Sequence, residues 1–322
     1  MHLLDRPRRN RKNPSIRSLV RETRLLKTSL IQPLFVWEGE KCLAVDSMPG
    51  IKRLSVKSLM RECGDLVQLG LSAVAIFPSI IRERKDARGS HSLDPSNILF
   101  TAVRAVKAAY PGLMVIADVA LDPYTDHGHD GVITNGHIDN DASVAVLCEL
   151  AVAEAKMGVD IVAPSDMMDG RVRAIRIALD EAGFQEVSIL SYAVKYASAY
   201  YCPFREAMGS KALLDKRSYQ MDPGNVREAI REALLDIQEG ADMLMVKPAG
   251  PYLDIIHVVR GRTLLPLAAY QTSGEYAQIH AAAQLGWLDY KQTRDESLLA
   301  IRRAGADLIL TYFAREMAEA SF

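Results

Sequence analysis

The sequence predicts a (β/α)8 barrel, on three observations. From residue 30 onward, short apolar runs alternate with amphipathic stretches. There are eight such runs, four to seven residues each and mostly aliphatic or β-branched, the pattern of strands buried on both faces. Eight strands joined by helical crossovers leave nothing for a second layer, and 322 residues accommodate a barrel of about 250 residues plus extensions.

The first run, Leu30–Val36, is followed by a helical stretch at Ser55–Leu69 that stops at Gly70. Val74–Phe77 is the second run, and Asn97–Tyr110 carries the chain to the third, Met114–Asp118. Ala142–Met157, stopped by Gly158, leads to Ile161–Pro164. Arg171–Ala182, stopped by Gly183, leads to Val187–Ser191. Val226–Glu239 and Gly240 precede Met243–Val246, and Tyr252–Val259 precedes Leu267–Tyr270. The last crossover holds two stretches, Ala277–Leu285 and Asp295–Arg303, with Gly286 and Gly305 behind them, before Leu308–Thr311. Glycine takes the left-handed position past a helix end at little steric cost, so these glycines read as helix stops.

Composition excludes several classes. The chain is 49% hydrophobic and 25% charged, which fits a globular protein and not a disordered or fibrous one. No apolar run approaches the roughly 18 residues of a membrane span, and the start, MHLLDRPRRNRKN, lacks the apolar stretch of a secretory signal. The four cysteines, Cys42, Cys63, Cys148 and Cys202, form no CxxC pair and no zinc spacing with histidine, as expected for reduced thiols. Net charge is −1, but residues 1–28 hold nine Lys or Arg against Asp5 and Glu22, a local +7 that leaves −8 for the rest. A basic arm of this kind suits an acidic neighbouring subunit or nucleic acid. The division expected is therefore an arm over 1–28 and a barrel over 29–322. Phosphate-binding loops of the GxxxxGK[ST] and GxGxxG types are absent.

In a barrel of this class the chemistry sits at the carboxyl ends of the strands. Those ends carry Asp118, Ser165-Asp166, Lys195, Lys247, Gln271-Thr272-Ser273 and Tyr312. Two lysines in one mouth are the informative feature. Burial and a second cation both disfavour the ammonium form, so a lysine pKa falls from about 10.4 toward 7. The neutral amine then forms a Schiff base with a ketone. The plain alternative for one strand-end lysine is an ion pair or a phosphate contact. The loop Asp118–Gly131, DVALDPYTDHGHDG, offers Asp122, Asp126, Asp130, His127 and His129 as ligands for a hard cation such as magnesium, or is a solvated acidic loop. Pro203–Asp222 has no clear period and reads as a lid whose Arg205, Lys216 and Arg217 are placed to clamp a carboxylate.

The strings DVALDPYTDHGHDG, APSDMMDGR, SYAVKYASAYY followed by PFR, SYQMDP, MLMVKPAGPYLDI, YQTSGEYA and RRAGADLILTYFA resemble the porphobilinogen synthase (5-aminolevulinate dehydratase) family, in the right order over about residues 5–320. The resemblance implies a (β/α)8 barrel with an extended N-terminal arm, assembled as a homo-octamer in which the arm wraps a neighbour. It implies condensation of two 5-aminolevulinate molecules to porphobilinogen with loss of two waters, in tetrapyrrole synthesis. Lys247 matches the lysine that forms a Schiff base with one substrate, and Lys195 its partner at the second. Ser273 and Tyr312 resemble the pair that binds one substrate carboxylate, and Arg205 with Lys216, or Arg217 beside it, the clamp on the other. Asp118 and Ser165 fall among the expected substrate contacts.

Ala120, Asp122 and Asp130 stand where the zinc-dependent branch has three cysteines, so the chain resembles the aspartate-rich branch, without catalytic zinc and stimulated by magnesium. Glu232 matches the glutamate that holds an allosteric Mg²⁺ through its water shell. Asp122 and Asp130 are left with magnesium, a monovalent cation or no ion. Cys202 stands where the family commonly has glycine, at the hinge of the lid. Two other readings remain: an aldolase-type lyase barrel, which needs only one lysine, and a scaffold that has lost catalysis, which intact Lys195, Lys247, Ser273 and Tyr312 argue against. Neither nucleic acid nor membrane is expected as a partner, and the expected location is the cytoplasm.

Overall fold

The computed structural model describes residues 3–209 and 215–320. Eight parallel strands form the barrel: β1 (Leu30–Trp37), β2 (Ala73–Ser79), β3 (Met114–Val119), β4 (Ile161–Pro164), β5 (Ser188–Lys195), β6 (Met243–Lys247), β7 (Leu267–Gln271) and β8 (Leu308–Thr311). Each pairs with the next, and β8 returns to β1 through Leu30↔Ile309 and Ile31↔Leu310. The helix α1 (Pro14–Leu19) precedes the barrel. Between strands run α2 (Val56–Gln68), α3 (Ile98–Ala109), α4 (Asn140–Lys156), α5 (Arg171–Glu181), α6 (Cys202–Ala207), α7 (Arg227–Gln238), α8 (Leu253–Arg260), α9 (Ser273–Gln284) and α10 (Tyr290–Ala304); α11 (Ala314–Glu319) follows β8. The sequence expectation of a (β/α)8 barrel holds strand for strand.

The crossover helices start on caps written in the sequence. The side chains of Ser55, Asn97 and Asp139 accept from backbone N–H groups in the first turns of α2, α3 and α4, satisfying donors that otherwise have no partner. Helix α2 then turns Leu59, Cys63 and Leu66 inward, spacings of four and three that put all three on one face. Each such aliphatic burial contributes about 1.5–3 kcal/mol. Between α5, α7 and β5 the guanidinium of Arg171 grips Asp236 at 2.5 and 2.8 Å, and Ser191 Oγ donates to the same carboxylate at 2.5 Å.

Several boundaries differ from the sequence reading. Strand β5 runs on to Lys195 instead of stopping at Ser191, because Tyr192, Ala193 and Val194 are all buried although Ser191-Tyr192 breaks the apolar run. After the 118–131 loop comes an unexpected hairpin, Val132–Thr134 with His137–Asp139. Its turn residues Asn135 (φ 51°) and Gly136 (φ 81°) both take the left-handed conformation that a tight hairpin needs. The expected lid opens with the short helix α6 and returns at Asp215–Asp222; its middle, residues 210–214, lies outside the described residues. In the arm, neither Pro7–Arg11 nor α1 buries a single residue. The arm joins the barrel at Lys27, whose Nζ donates to the carbonyl of Ala318 at 2.5 Å. No helix among the described residues is long and apolar enough to cross a membrane.

Candidate active site

A cavity of about 40 Å³ at the carboxyl end of the barrel is lined by Lys195, Lys247, Asp122, Arg205, Lys216, Ser273 and Tyr312, together with Tyr201, Phe204, Gln220, Tyr270 and Thr272. The two lysines arrive on neighbouring strands. Lys195 ends β5, Lys247 ends β6, and they are direct partners in the ladder. Both are almost wholly buried.

Lys247 projects from the apolar strand Met-Leu-Met-Val into a cage of aromatic rings. Its Nζ lies 4.5 Å from the centroid of Tyr270, 5.0 Å from Tyr192, and 5.3 Å from each of Tyr201 and Phe204. Such rings favour the ammonium form by about 0.5–2 kcal/mol. Burial opposes them and wins: with the Lys195 charge adding to it, against Asp118, Asp122 and Asp130, the amine is lowered to about 7. Half of it is therefore neutral near physiological pH.

Lys195 donates from Nζ to the carbonyl of Ser165 and, at 3.5 Å, to Asp130 Oδ2. Lys216 sits between Asp122 (3.2 Å) and Asp130 (3.0 Å). Burial alone would lower the Lys216 ammonium, but the two carboxylates outweigh it and hold it above its usual range. Asp130 is buried, which would raise its carboxyl, yet Lys195 and Lys216 pull it below the ordinary carboxylate range. Asp118 behaves oppositely. Burial pushes it up to about 7 against the pull of Lys247 and Lys195, and its Oδ1 has no hydrogen-bond partner among the described residues. A carboxyl titrating near neutrality beside two lysines is placed to exchange protons.

Next to this cage, Ser273 Oγ accepts from the Phe204 N–H at 2.9 Å, and the hydroxyls of Tyr270 and Tyr312 stand 3.1 Å apart. Arg205 reaches the cavity from α6. Arg217, the alternative to Lys216, instead pairs with Asp215 at 2.7 Å on the exposed surface. Glu232 lies elsewhere, on α7, where it lines a cleft of about 540 Å³ with Asp169 and Glu228. Burial raises its carboxyl, and neighbouring Asp236, Asp169 and Glu228 add to that against Arg171.

Two carboxylate sites invite a cation, and they differ. At Asp122 and Asp130 the oxygens already face ammonium groups, so this pair does not fit a directly ligated ion. Among the described residues no group of three His, Cys, Asp or Glu side chains is placed to hold a metal. The acids around Glu232 form no such group either, so they suit only an ion that keeps most of its waters and takes as little as one carboxylate, as Mg²⁺ does.

Sequence reasoning missed the aromatic cage and Gln220. Tyr270 ends an apolar run and reads as core, Tyr192 falls just past the run Val187–Ser191, and Tyr201 and Phe204 stand in the SAYYCPFR segment whose local pattern says nothing about what it covers.

Comparison with known proteins assigns the chain to a family. The family profile described as Delta-aminolevulinic acid dehydratase matches residues 4–320. The Delta-aminolevulinic acid dehydratase of Chlamydia pneumoniae is 53% identical over 311 residues, covering 96% of this chain and 94% of that protein. The protein of the same name from Bradyrhizobium diazoefficiens is 52% identical over 322 residues, covering 99% and 91%. Among solved structures, the delta-aminolevulinic acid dehydratase (porphobilinogen synthase) of Toxoplasma gondii, in complex with its reaction product porphobilinogen, matches with a TM-score of 0.96 at 48% identity, covering 98% of this chain and 91% of that one. With the profile spanning nearly its whole length and relatives above half identity, the chain belongs to the delta-aminolevulinic acid dehydratase family.

Proposed function

We propose that this protein is a porphobilinogen synthase, a hydro-lyase that condenses two molecules of 5-aminolevulinate into porphobilinogen with loss of two waters. The observation that carries this reading is the pair Lys195 and Lys247, buried side by side in one mouth, with Lys247 titrating near neutrality. Neutral Lys247 attacks the C4 ketone of one substrate; the Nζ–C4 bond forms, the C4–O bond breaks, and the oxygen leaves as water. Lys195 holds the second substrate the same way. An imine acidifies the carbon beside it, and Asp118, with Ser165 next to it, accepts that proton. Two substrates on one rim turn a bimolecular condensation into an effectively intramolecular one.

Ser273 and Tyr312 bind one substrate carboxylate, and Arg205 with Lys216 the other. Lys216 supports this second role because it lines the cavity and is held in the ammonium form. About 40 Å³ is room for water and not for two five-carbon acids, so α6 and the Asp215–Asp222 segment move aside to admit substrate. The active site belongs to the aspartate-rich type, with neither catalytic zinc nor a directly held cation at Asp122 and Asp130. Glu232 would hold Mg²⁺ through its water shell, and the ion would neutralise the charge shared with Asp169 and Glu228.

The arm over 1–28 contacts another copy of the chain in a homo-octamer. Two features support this: α1 has six residues, where isolated helices shorter than about 12–15 are marginal, and Leu4, Leu19 and Leu26 are exposed along the arm. The reading includes a cytoplasmic location.

The test is pyrrole formation from 5-aminolevulinate by chelator-treated protein, with magnesium or zinc added back separately. Pyrrole without added metal, raised by magnesium and unaffected by zinc, is the expected result. A zinc requirement keeps the reaction and overturns the aspartate-type site; no pyrrole from folded protein overturns the function.

A further inference from the structure

We propose that Glu275 is a positioning residue that fastens the segment carrying Lys247 to the segment carrying Ser273, and so fixes the span between imine and carboxylate. The inference rests on the functional reading above. Glu275 is 2% exposed and stands in the first turn of α9. Its Oε2 accepts from the Thr272 backbone N–H at 2.6 Å and from Thr272 Oγ1 at 2.9 Å, closing a capping box. An ordinary box uses only donors of its own helix. Here the same carboxylate reaches across to the next strand end: Oε1 accepts from Gly250 N–H at 2.6 Å and Oε2 from Ala249 N–H at 3.3 Å. Those two residues follow Lys247 by two and three positions, and Thr272 immediately precedes Ser273.

The staple stands where the sheet stops. The ladder between β6 and β7 ends at Val246↔Ala269, one residue before Lys247. Beyond that point the two strand ends have no common ladder, and Glu275 takes over the connection. Burying the carboxylate carries a desolvation penalty, visible as a carboxyl raised to about 6 by burial in spite of its donors. The approach is also closely cut: a Cβ on Gly250 would lie 2.7 Å from Oε1. A keto acid bound as an imine on Lys247 and by its carboxylate at Ser273 spans this junction, so loosening it misaligns the two ends of one substrate.

The test uses reductive trapping on Lys247 with borohydride and two probes, levulinate (ketone and carboxylate) and 2-butanone (ketone only), read by peptide mass mapping. In each case the Nζ–C bond forms, the ketone oxygen leaves as water, and hydride from borohydride adds to the carbon. In Glu275→Gln, levulinate trapping falls about tenfold, while butanone trapping is unchanged. The KM for 5-aminolevulinate rises more than kcat falls. Equal slowing of both probes, or of neither, overturns the staple. If Glu275→Gln does not fold, Gly250→Ala gives the same probe ratio from folded protein. A wild-type enzyme that makes no pyrrole and traps no levulinate at Lys247 defeats the functional reading itself, and is thereby distinguished from failure of the staple alone.

Discussion

Lys195 and Lys247 are register partners in the parallel ladder between β5 and β6, so their stems leave adjacent strands at the same height. Neighbouring strands lie about 4.8 Å apart, which keeps the Lys195 charge close enough to help depress Lys247. Removing a positive neighbour favours the charged form of the one that remains. Lys195→Met therefore moves the midpoint of Lys247 trapping upward from about 7, measured as borohydride-trapped levulinate against pH. An unmoved midpoint means that burial alone sets the amine.

Lys247→Met leaves assembly and melting temperature near wild type and reduces pyrrole formation below roughly 1% of wild type, because the first substrate loses the amine that binds it covalently. Residual turnover above that level reassigns the first Schiff base to Lys195.

Lys216 and Arg217 are neighbours in sequence with opposite fates, one turned onto Asp122 and Asp130, the other paired with exposed Asp215. Lys216→Met raises KM for 5-aminolevulinate about tenfold or more, the scale of one lost charge-assisted contact to a carboxylate. Arg217→Met leaves KM within about twofold, since exposed ion pairs contribute little. The reverse ranking in steady-state kinetics shifts the clamp by one residue.

Glu232→Ala abolishes stimulation by magnesium and shifts the protein toward smaller assemblies, read by activity with and without the ion and by light scattering. A magnesium response of wild-type size in this variant places the ion elsewhere.

Arg171 and Asp236 form a buried bidentate pair between α5 and α7. Arg171→Ala strands the carboxylate without its partner, and unfolding free energy falls by about 3–5 kcal/mol, measured by urea denaturation. A loss below about 1 kcal/mol is the surface-pair scale and means that water replaces the guanidinium.

The barrel was legible because its strands are short apolar runs punctuated by glycine, and because Lys247 and Tyr312 sit where apolar runs end. Lys195 falls four residues past the apolar run Val187–Ser191, since Ser191 and Tyr192 interrupt the hydrophobic signal that burial restores. Asp122 and Asp130 stayed ambiguous between ion ligands and ion-pair partners because Lys216, which binds both, lies far along the chain. Glu275 is half legible: Thr272-Ser273-Gly274-Glu275 spells a capping box, but the acceptance from Ala249 and Gly250 is tertiary and leaves no local mark. The aromatic cage was hidden for a related reason, since a tyrosine lining a cavity and a tyrosine filling a core have the same spacing.

The closing seam of the barrel has a consequence for how the chain is made. Strand β1 shares seven register pairs with β2 but only two with β8, its partner from the far end of the polypeptide. During synthesis β1 emerges long before β8, so the ring stays open until that last strand is out. Until then the free side of β7 and the Leu30–Ile31 stretch of β1 present unpaired backbone donors and acceptors, the feature that recruits strands from other molecules, while Phe35 and Val36 of β1 are already covered by Lys52–Leu54. A nascent or clipped chain that ends before Leu308 is thus an open sheet whose adhesive edge is chiefly β7. Chaperone demand should accordingly fall sharply once the last strand has cleared the ribosome.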